Sequence, residues 1–362
     1  MTQTSVYTPR GTNLAAGKVR VLIVDDSVVI RHLLQKALEG DPDIEVVGAE
    51  GDGIAALRSI PAVKPDLVTL DIEMPRMDGL ETLRRIRREY PKLRTIMFST
   101  LTTRGASATF EALSLGADDY VTKASNAGQL DESLQRLRSE LLPKIRQFFS
   151  LPSQPGIKRQ PATAASRKGP VGRPRVVAIG VSTGGPNALA KLVPMLPARF
   201  PLPVLIVQHM PAMFTRLLAD RLNATSSIQV VEAEDNMELA GGKVVVARGD
   251  YHLKVRAAGS SLFTVLDQAP HENSCRPSVD VMFRSLAQVC GNTVVSTVLT
   301  GMGADGMRGT QALKAAGSYS IVQDRESSVV WGMPGAVADA GLADRILPLE
   351  DIAGELCRLA EG

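Results

Sequence analysis

The chain has 362 residues, 44% of them hydrophobic and 22% charged, which is typical of a globular protein of about two domains. The net charge is +3, but six basic residues and no acid lie between positions 147 and 175, so the rest of the chain is net negative. The basic excess therefore lies in one linker-like segment and not on a folded face, which gives only weak support to nucleic-acid binding, and only through that segment. The three cysteines are widely spaced and form no Cys-x-x-Cys pair, which argues against a disulfide framework and a cysteine zinc site. No apolar run reaches the length of about 20 residues that a membrane span needs.

Residues 1–18 form a polar extension without the apolar stretch of a signal peptide. Residues 19–149 alternate five times between short apolar strands and helices, which predicts a (βα)5 domain with a parallel sheet covered on both faces. The predicted strands are 19–24, 45–49, 66–70, 95–98 and 120–122. The predicted helices are 28–38, 54–60, 80–90, 105–115 and a last one through Leu130, Leu134, Leu137, Leu141 and Ile145.

Residues 150–174 lose this periodicity and contain five prolines among small and basic residues, which predicts a semi-extended linker. A second α/β pattern fills residues 175–362 and predicts a doubly wound, mostly parallel domain. Its predicted strands are 175–179, 204–207, 228–231, 243–246, 294–299 and 319–322, its helices 187–196, 279–289 and 306–316, and its hairpin 251–266.

Polar residues follow the strands of the first domain, where ligands of open parallel sheets gather. Asp25 and Asp26 end the first strand, Asp71 the third, Ser99 the fourth and Lys123 the fifth. Each of these residues alone could be a turn residue or a helix cap. Together they predict a Mg²⁺ site beside a carboxylate that accepts a phosphoryl group, which the lysine and a hydroxyl would hold.

These residues stand in motifs that resemble the response-regulator receiver family over about residues 18–140. The motifs are Val24-Asp-Asp-Ser27, Leu70-Asp-Ile-Glu-Met-Pro75, Met77-Asp-Gly79, Ser99 and Gly116-Ala-Asp-Asp-Tyr-Val-Thr-Lys123.

The resemblance implies that a histidine kinase phosphorylates Asp71 and that Asp25, Asp26 and Asp71 hold Mg²⁺. It also implies that Lys123 contacts the phosphoryl group and that Ser99 and Tyr120 relay the change. Ala124 departs from the family, in which a proline usually follows the lysine.

In the second domain, a serine lies in a glycine-rich turn between a strand and a helix. The segment Gly180-Val-Ser-Thr-Gly-Gly-Pro186 fits the G-x-S-x-G pattern, which exposes a nucleophilic serine above a parallel sheet. A phosphate cradle and a plain structural turn remain alternatives, although the spacing is not G-x-G-x-x-G and no P-loop lysine follows.

A serine nucleophile needs a base, and the chain has four histidines. His209 follows a strand of the same predicted sheet and is the best-placed base. His271, in a loop, is the runner-up. His252 is most simply a partly exposed strand residue, and His32 lies in the other domain.

The base in turn needs an acid to orient it. Asp305 follows the strand at 294–299 and precedes a helix, so it is either this acid or a helix N-cap. Asp280 is less attractive because it lies inside a helical pattern.

The second half resembles the catalytic domain of the chemotaxis protein-glutamate methylesterase family over about residues 175–360. The motifs are Ile179-Gly-Val-Ser-Thr-Gly-Gly-Pro186, Val207-Gln-His-Met-Pro211, Arg276-Pro-Ser-Val-Asp280, Leu299-Thr-Gly-Met-Gly-Ala-Asp-Gly306 and Gln323-Asp324. The resemblance implies a triad of Ser182, His209 and Asp305, with Thr183 and Met302 assisting near the oxyanion.

The same resemblance implies the substrate and the regulation. It implies hydrolysis of glutamate γ-methyl esters on chemoreceptors, in some members also deamidation of glutamines, without a cofactor in the esterase step. It also implies that a chemotaxis histidine kinase switches the enzyme. The composition, and not the resemblance, predicts a cytoplasmic protein that binds neither nucleic acid nor membrane. A domain that acts only by binding and an esterase outside chemotaxis remain alternatives.

Overall fold

The computed structural model describes residues 17–100, 102–123, 130–149, 151 and 173–361. Most of the predicted extension (1–18) and linker (150–174), and Ala124, lie outside the described residues. The described residues divide into two compact units between residues 155 and 156, within the predicted linker.

The first unit contains a parallel sheet, as predicted, and its strand order is β2-β1-β3-β4-β5. Its strands are β1 (Val19–Val24), β2 (Ile44–Glu50), β3 (Leu67–Asp71), β4 (Arg94–Ser99) and β5 (Asp119–Thr122). Its helices are α1 (Val28–Leu38), α2 (Gly53–Val63), α3 (Gly79–Glu89), α4 (Thr103–Ser114) and α5 (Leu130–Phe148).

Side-chain caps fix where the helices of this unit begin. Ser27, Asp52 and Asp78 each accept hydrogen bonds from amides of the first turn of α1, α2 and α3. Strand β3 is buried along its whole length, whereas β2, at the edge of the sheet, is mostly half-buried. Helices therefore cover both faces, and the carboxyl ends of the strands are left as one accessible edge.

The second unit contains a seven-stranded parallel sheet with the order β15-β14-β13-β6-β7-β10-β8, which confirms the predicted doubly wound fold. The strands are β6 (Val176–Val181), β7 (Val204–Gln208), β8 (Gln229–Glu232), β10 (Lys243–Val246), β13 (Val294–Val298), β14 (Tyr319–Gln323) and β15 (Arg345–Leu347). A smaller antiparallel sheet contains β9 (Glu238–Leu239), β11 (His252–Ala258) and β12 (Ser261–Asp267).

The helices of this unit are α6 (Gly185–Leu192), α7 (Ala212–Thr225), α8 (Val279–Cys290), α9 (Met307–Ala315), α10 (Met333–Asp339) and α11 (Leu349–Glu361). The chain runs outward from β6 to β7 on one side and from β13 to β14 and β15 on the other. Such a reversal of strand order opens a crevice at the strand ends, where ligands of this fold class bind.

The helix predicted at 187–196 ends at Leu192 and continues as a short 3₁₀ turn, Val193–Met195, because Pro194 interrupts the helical pattern. None of the helices among the described residues is long and apolar enough to cross a bilayer.

Candidate functional sites

Three carboxylates meet at the strand ends of the first unit. Asp25 and Asp71 are buried and Asp26 is exposed, and an oxygen from each lies within 4.8 Å of the others. The Lys123 ammonium lies 2.9 Å from Asp25 Oδ2 and 2.8 Å from Asp71 Oδ1. The sequence-predicted carboxylates and lysine are thus brought together.

The electrostatics of this cluster favour a bound cation. Burial raises the pKa of Asp71 to about 6, and the Asp25 charge adds to the rise, against the opposing effect of Lys123. Burial alone would lower the pKa of Lys123, but the two carboxylates raise it. Asp25 Oδ2 is buried and accepts no hydrogen bond of normal geometry. Buried carboxylate oxygens that lack such a hydrogen bond are suited to ligate a hard divalent ion such as Mg²⁺.

The two residues expected to relay phosphorylation lie next to this cluster without joining it. The Ser99 hydroxyl donates to the carbonyl oxygen of Gly105 at 3.0 Å, while the Ser99 carbonyl accepts from the Lys123 amide at 2.7 Å. Tyr120 is buried, which raises its pKa, and Lys144 lies over its ring. In this arrangement the serine hydroxyl faces α4 and not Asp71.

In the second unit, strand register brings the candidate nucleophile and base together. Val181 of β6 is the register partner of Gln208 of β7, so Ser182 and His209 occupy the next position on adjacent strands. The His209 amide also donates to the Val181 carbonyl at 3.3 Å. Both residues therefore stand in the crevice between the two halves of the sheet.

The turn that carries Ser182 depends on glycine and on buried hydrogen bonds. Gly184 has a φ of +76°, which side-chain-bearing residues rarely adopt. The Ser182 amide donates to the Thr300 carbonyl at 3.0 Å, and Gln208 Nε2 donates to the Ser182 carbonyl at 3.0 Å. A Cβ on Gly301 would lie only 2.9 Å from the Ser182 Cβ. The serine backbone is thus held from both neighbouring strands.

His209 and Asp305 form a short ionic hydrogen bond. His209 Nε2 lies 2.8 Å from Asp305 Oδ2, and the two side chains are 12% and 3% exposed. Burial alone favours the neutral imidazole, but contacts with Asp305 and Cys275 raise the pKa of His209 above its usual range. Burial likewise opposes the charge of Asp305, yet the pKa of Asp305 is strongly lowered by His209 and by the Val279 and Asp280 amides.

The positions of Asp305, Asp280 and His271 bear on the alternatives for the acid and the base at the second site. Gly306, and not Asp305, is the N-cap of α9, and the Asp305 carboxylate points to His209 instead. Asp280 lies in the first turn of α8, where its Oδ1 accepts from the Gly306 and Gly309 amides. His271 is exposed.

The prediction that His252 is a partly exposed strand residue is wrong. His252 has no exposed surface, because the hairpin it begins packs against α8. Its Nδ1 accepts from the Ser278 amide at 3.2 Å, and its Nε2 lies 3.0 Å from the Pro270 carbonyl. The strand alternation indicated the hairpin but not the helix that covers it.

Thr183 and Met302 lie in the turns that follow β6 and β13. Thr183 is 6% exposed and its carbonyl accepts from the Thr300 hydroxyl at 3.0 Å. Within the described part of the chain, the amide N–H groups of Thr183 and Met302 donate to no protein acceptor. Two unpaired amides on loops that meet at Ser182 could bind an oxyanion.

Sequence reasoning missed three side chains of this site: Gln208, Asn273 and Cys275. Gln208 stands beside His209 in the sequence and could have been found from that position. Asn273 and Cys275 belong to the loop that follows the hairpin. The motif that begins at Arg276 directly follows this loop and was the available signal, but no periodicity places the loop at the strand ends.

Comparisons with known proteins agree over both units. A family model described as CheB methylesterase matches residues 177–356, and one described as response regulator receiver domain matches residues 21–135. A protein-glutamate methylesterase/protein-glutamine glutaminase of Nocardioides sp. is 50% identical, with 94% of this chain and 95% of the relative covered. A protein with the same name from Trichodesmium erythraeum is 47% identical, covering 94% and 99%. The Thermotoga maritima CheB methylesterase catalytic domain is 42% identical, with a TM-score of 0.51, and covers 51% of this chain and 98% of that structure.

Proposed function

The chain belongs to the CheB methylesterase family with an N-terminal receiver domain, and from this we propose that it is a serine esterase that removes methyl groups from glutamate γ-methyl esters of chemoreceptors. The relatives carry this activity in their names. The observation that carries the proposal for this chain is the buried His209–Asp305 pair beside the register position of Ser182.

The reaction is acyl transfer to water. Ser182 Oγ attacks the γ-carbonyl carbon while His209 takes the serine proton, and Asp305 stabilises the imidazolium that forms. The tetrahedral intermediate expels methoxide, which takes the proton from His209 and leaves as methanol. Water then attacks the acyl-serine with His209 again as base, and glutamate and free serine are released.

The unpaired amides of Thr183 and Met302 are the groups best suited to bind the negative oxygen of both intermediates. Fixed backbone donors of this kind need no reorganisation as the charge develops, which is why they lower the barrier. The same steps with ammonia as the leaving group would deamidate a glutamine, the second activity in the names of the relatives.

The first unit would regulate this activity. Asp71 is proposed as the phosphoryl acceptor, with a chemotaxis histidine kinase as donor, and Asp25, Asp26 and Asp71 would hold Mg²⁺. Bound Mg²⁺ would neutralise charge on the transferring phosphoryl group, and Lys123 would hold one of its oxygens. Phosphorylation can raise the esterase rate only by stabilising one arrangement of the chain over another.

We place the enzyme in the cytoplasm, where the histidine kinase and the methylated receptor helices would meet it. All three cysteines are free, which fits a reducing compartment. We propose no nucleic-acid partner and no membrane insertion.

Methanol release from a methylated chemoreceptor cytoplasmic fragment tests the activity. The full-length wild type and Ser182→Ala would be compared, with Ser260→Ala as a control for an exposed serine in the same unit. Each would be assayed with and without acetyl phosphate and Mg²⁺, and Asp71→Asn would be included. Release that survives Ser182→Ala would refute the nucleophile, and equal rates with and without phosphodonor would refute the switch.

A further inference from the structure

One asparagine side chain joins two buried carboxylates behind the His209–Asp305 pair. Asn273 Nδ2 donates to Asp305 Oδ1 at 2.8 Å and to Asp280 Oδ2 at 3.0 Å. Asp305 and Asp280 are 3% and 1% exposed, whereas Asn273 itself lies at the surface. The amide therefore stands between water and the two acids.

Two carboxylates this close repel each other, and their partners decide whether both stay charged. Burial, followed by the Asp305 charge, raises the pKa of Asp280 against the opposing effect of the Gly309 amide. An amide NH₂ carries two hydrogens, so Asn273 can satisfy both acids at once without adding charge. An ionised side chain at position 273 would change the net charge around the two acids. An apolar side chain would leave Asp305 Oδ1 and Asp280 Oδ2 without this hydrogen-bond donor.

The asparagine is held in place by its own loop, residues 272–275. Asn273 and Ser274 have φ values of +52° and +62°, a conformation that asparagine tolerates better than most residues. The ends of the loop exchange two backbone hydrogen bonds between Glu272 and Cys275, at 2.9 and 3.1 Å. Arg284 of α8 clamps the Glu272 carboxylate at 2.5 and 2.7 Å.

The same loop reaches both partners of the pair. Asn273 bonds to Asp305, while Cys275 acts on His209 and raises the pKa of its imidazole. Among the described residues, the titratable and charged groups that act on the two acids are His209, Glu272 and Arg284, and Cys275 acts on His209. Beyond the backbone amides, the uncharged donors to Asp305 among the described side chains are Asn273 and the hydroxyl of Ser278, at 2.8 Å.

We propose that Asn273 is a positioning residue for the esterase reaction, which fixes the ionised Asp305 carboxylate toward His209 by bonding it to Asp280. This inference rests on the proposed function of the site. Asn273 acts through Asp305, and its side chain donates hydrogen bonds to Asp280 and Asp305.

Two substitutions separate this role from simple loop stability. Asn273→Gly removes the amide and tolerates the positive φ, and Asn273→Asp keeps the shape but adds a third carboxylate. Asn236 is the matched control, because it is an exposed asparagine at a φ of +59° in the same unit, with its side chain bonded to Arg256. Asn236→Gly and Asn236→Asp thus repeat the changes away from the site.

The first readout is the titration of the His209 imidazole by NMR on the full-length chain, with His209→Gln to assign its signal among the four histidines. Both Asn273 variants should raise the pKa of His209. Asn273→Gly removes a hydrogen bond that stabilises the Asp305 charge, so that charge interacts more strongly with the imidazolium. Asn273→Asp adds a negative charge nearby, which also stabilises the imidazolium. This measurement needs no substrate, so it stands even if the proposed esterase activity fails.

The second readout is the pH profile of kcat/KM for methanol release from the methylated receptor fragment. We expect kcat to fall roughly tenfold with KM nearly unchanged, and the acid limb to move to higher pH, for the Asn273 variants only. An unshifted His209 titration would overturn the positioning role, as would a lower kcat with an unmoved pH profile. If the Asn236 variants behaved like the Asn273 variants, the proposal would also be overturned.

Discussion

His209 Nε2 lies 2.8 Å from Asp305 Oδ2, so the imidazole presents Nε2 to the acid. Asp305 accepts at least five further hydrogen bonds, among them those from Ser278, Asn273 and the amides of Val279 and Asp280. A carboxylate so well supplied with donors stays ionised, and it orients the ring without taking its proton.

The substitution Asp305→Asn should nearly abolish esterase activity. A neutral amide in place of the carboxylate could not stabilise the imidazolium, and we expect kcat to fall roughly 10³- to 10⁴-fold, as for the acid of other serine triads. Asp344→Asn is the matched control, because Asp344 is also buried and ion-paired, to Lys314, at the far edge of the sheet. The kcat of Asp344→Asn should change little. A comparable loss of kcat in Asp344→Asn would show that the effect comes from neutralising any buried carboxylate and not from the orientation of His209.

Cys275 should set the pH at which the base becomes active. The base must be neutral, so kcat/KM should rise with pH through the raised pKa of His209, to which the Cys275 contact contributes. Cys275→Ser should therefore move the acid limb to lower pH, while Cys357→Ser, in α11, should not. A profile unchanged by Cys275→Ser would mean that Asp305 alone sets the His209 pKa.

The sequence was sufficient for the fold class and for the residues that directly follow strands. Parallel strands end at one edge, so Asp25, Asp71 and Lys123 had to meet once the strands were recognised, and so did Ser182 and His209. Those strands are visible in the sequence as apolar runs because they lie in the core, where apolar residues are favoured.

The residues that sequence did not reveal reach the site through tertiary packing. Asn273 and Cys275 sit on a loop whose position depends on the Glu272–Arg284 pair, a contact between segments that no local pattern predicts. The short strands β9 and β15, with two and three residues, carry too few positions for an alternation to be visible. His252 looked half-exposed because the helix that covers its hairpin comes later in the chain.

Gly301→Ala should lower the esterase activity because the added Cβ would displace Ser182. The added Cβ would lie 2.4 Å from Met333 Sδ and 2.9 Å from Ser182 Cβ, so one neighbour must move. We expect a destabilisation of about 1–3 kcal/mol, and a loss on the order of a hundredfold in kcat if the serine shifts by about 1 Å. Gly354→Ala, in open space on α11, should leave kcat unchanged and add about 0.5–1 kcal/mol to the free energy of unfolding.

Mg²⁺ binding to the first unit should weaken as the pH falls below about 6. The pKa of Asp71 is raised to about 6, so its carboxylate is ionised and able to ligate at pH 7.5 but mostly protonated at pH 5. A proton that competes with the metal for one ligand lowers the apparent affinity by up to about tenfold per pH unit below that pKa.

Calorimetric titration of the full-length chain with Mg²⁺ at pH 7.5, 6 and 5 would measure this dependence. Asp71→Asn should bind Mg²⁺ weakly and lose the pH dependence, because the titrating ligand is gone. Asp220→Asn removes the same charge from an exposed ion pair in the other unit and should behave like the wild type. If the affinity of the wild type were the same at pH 5 and pH 7.5, Asp71 would not be a ligand whose burial raises its pKa, and the three carboxylates would have to be reassigned.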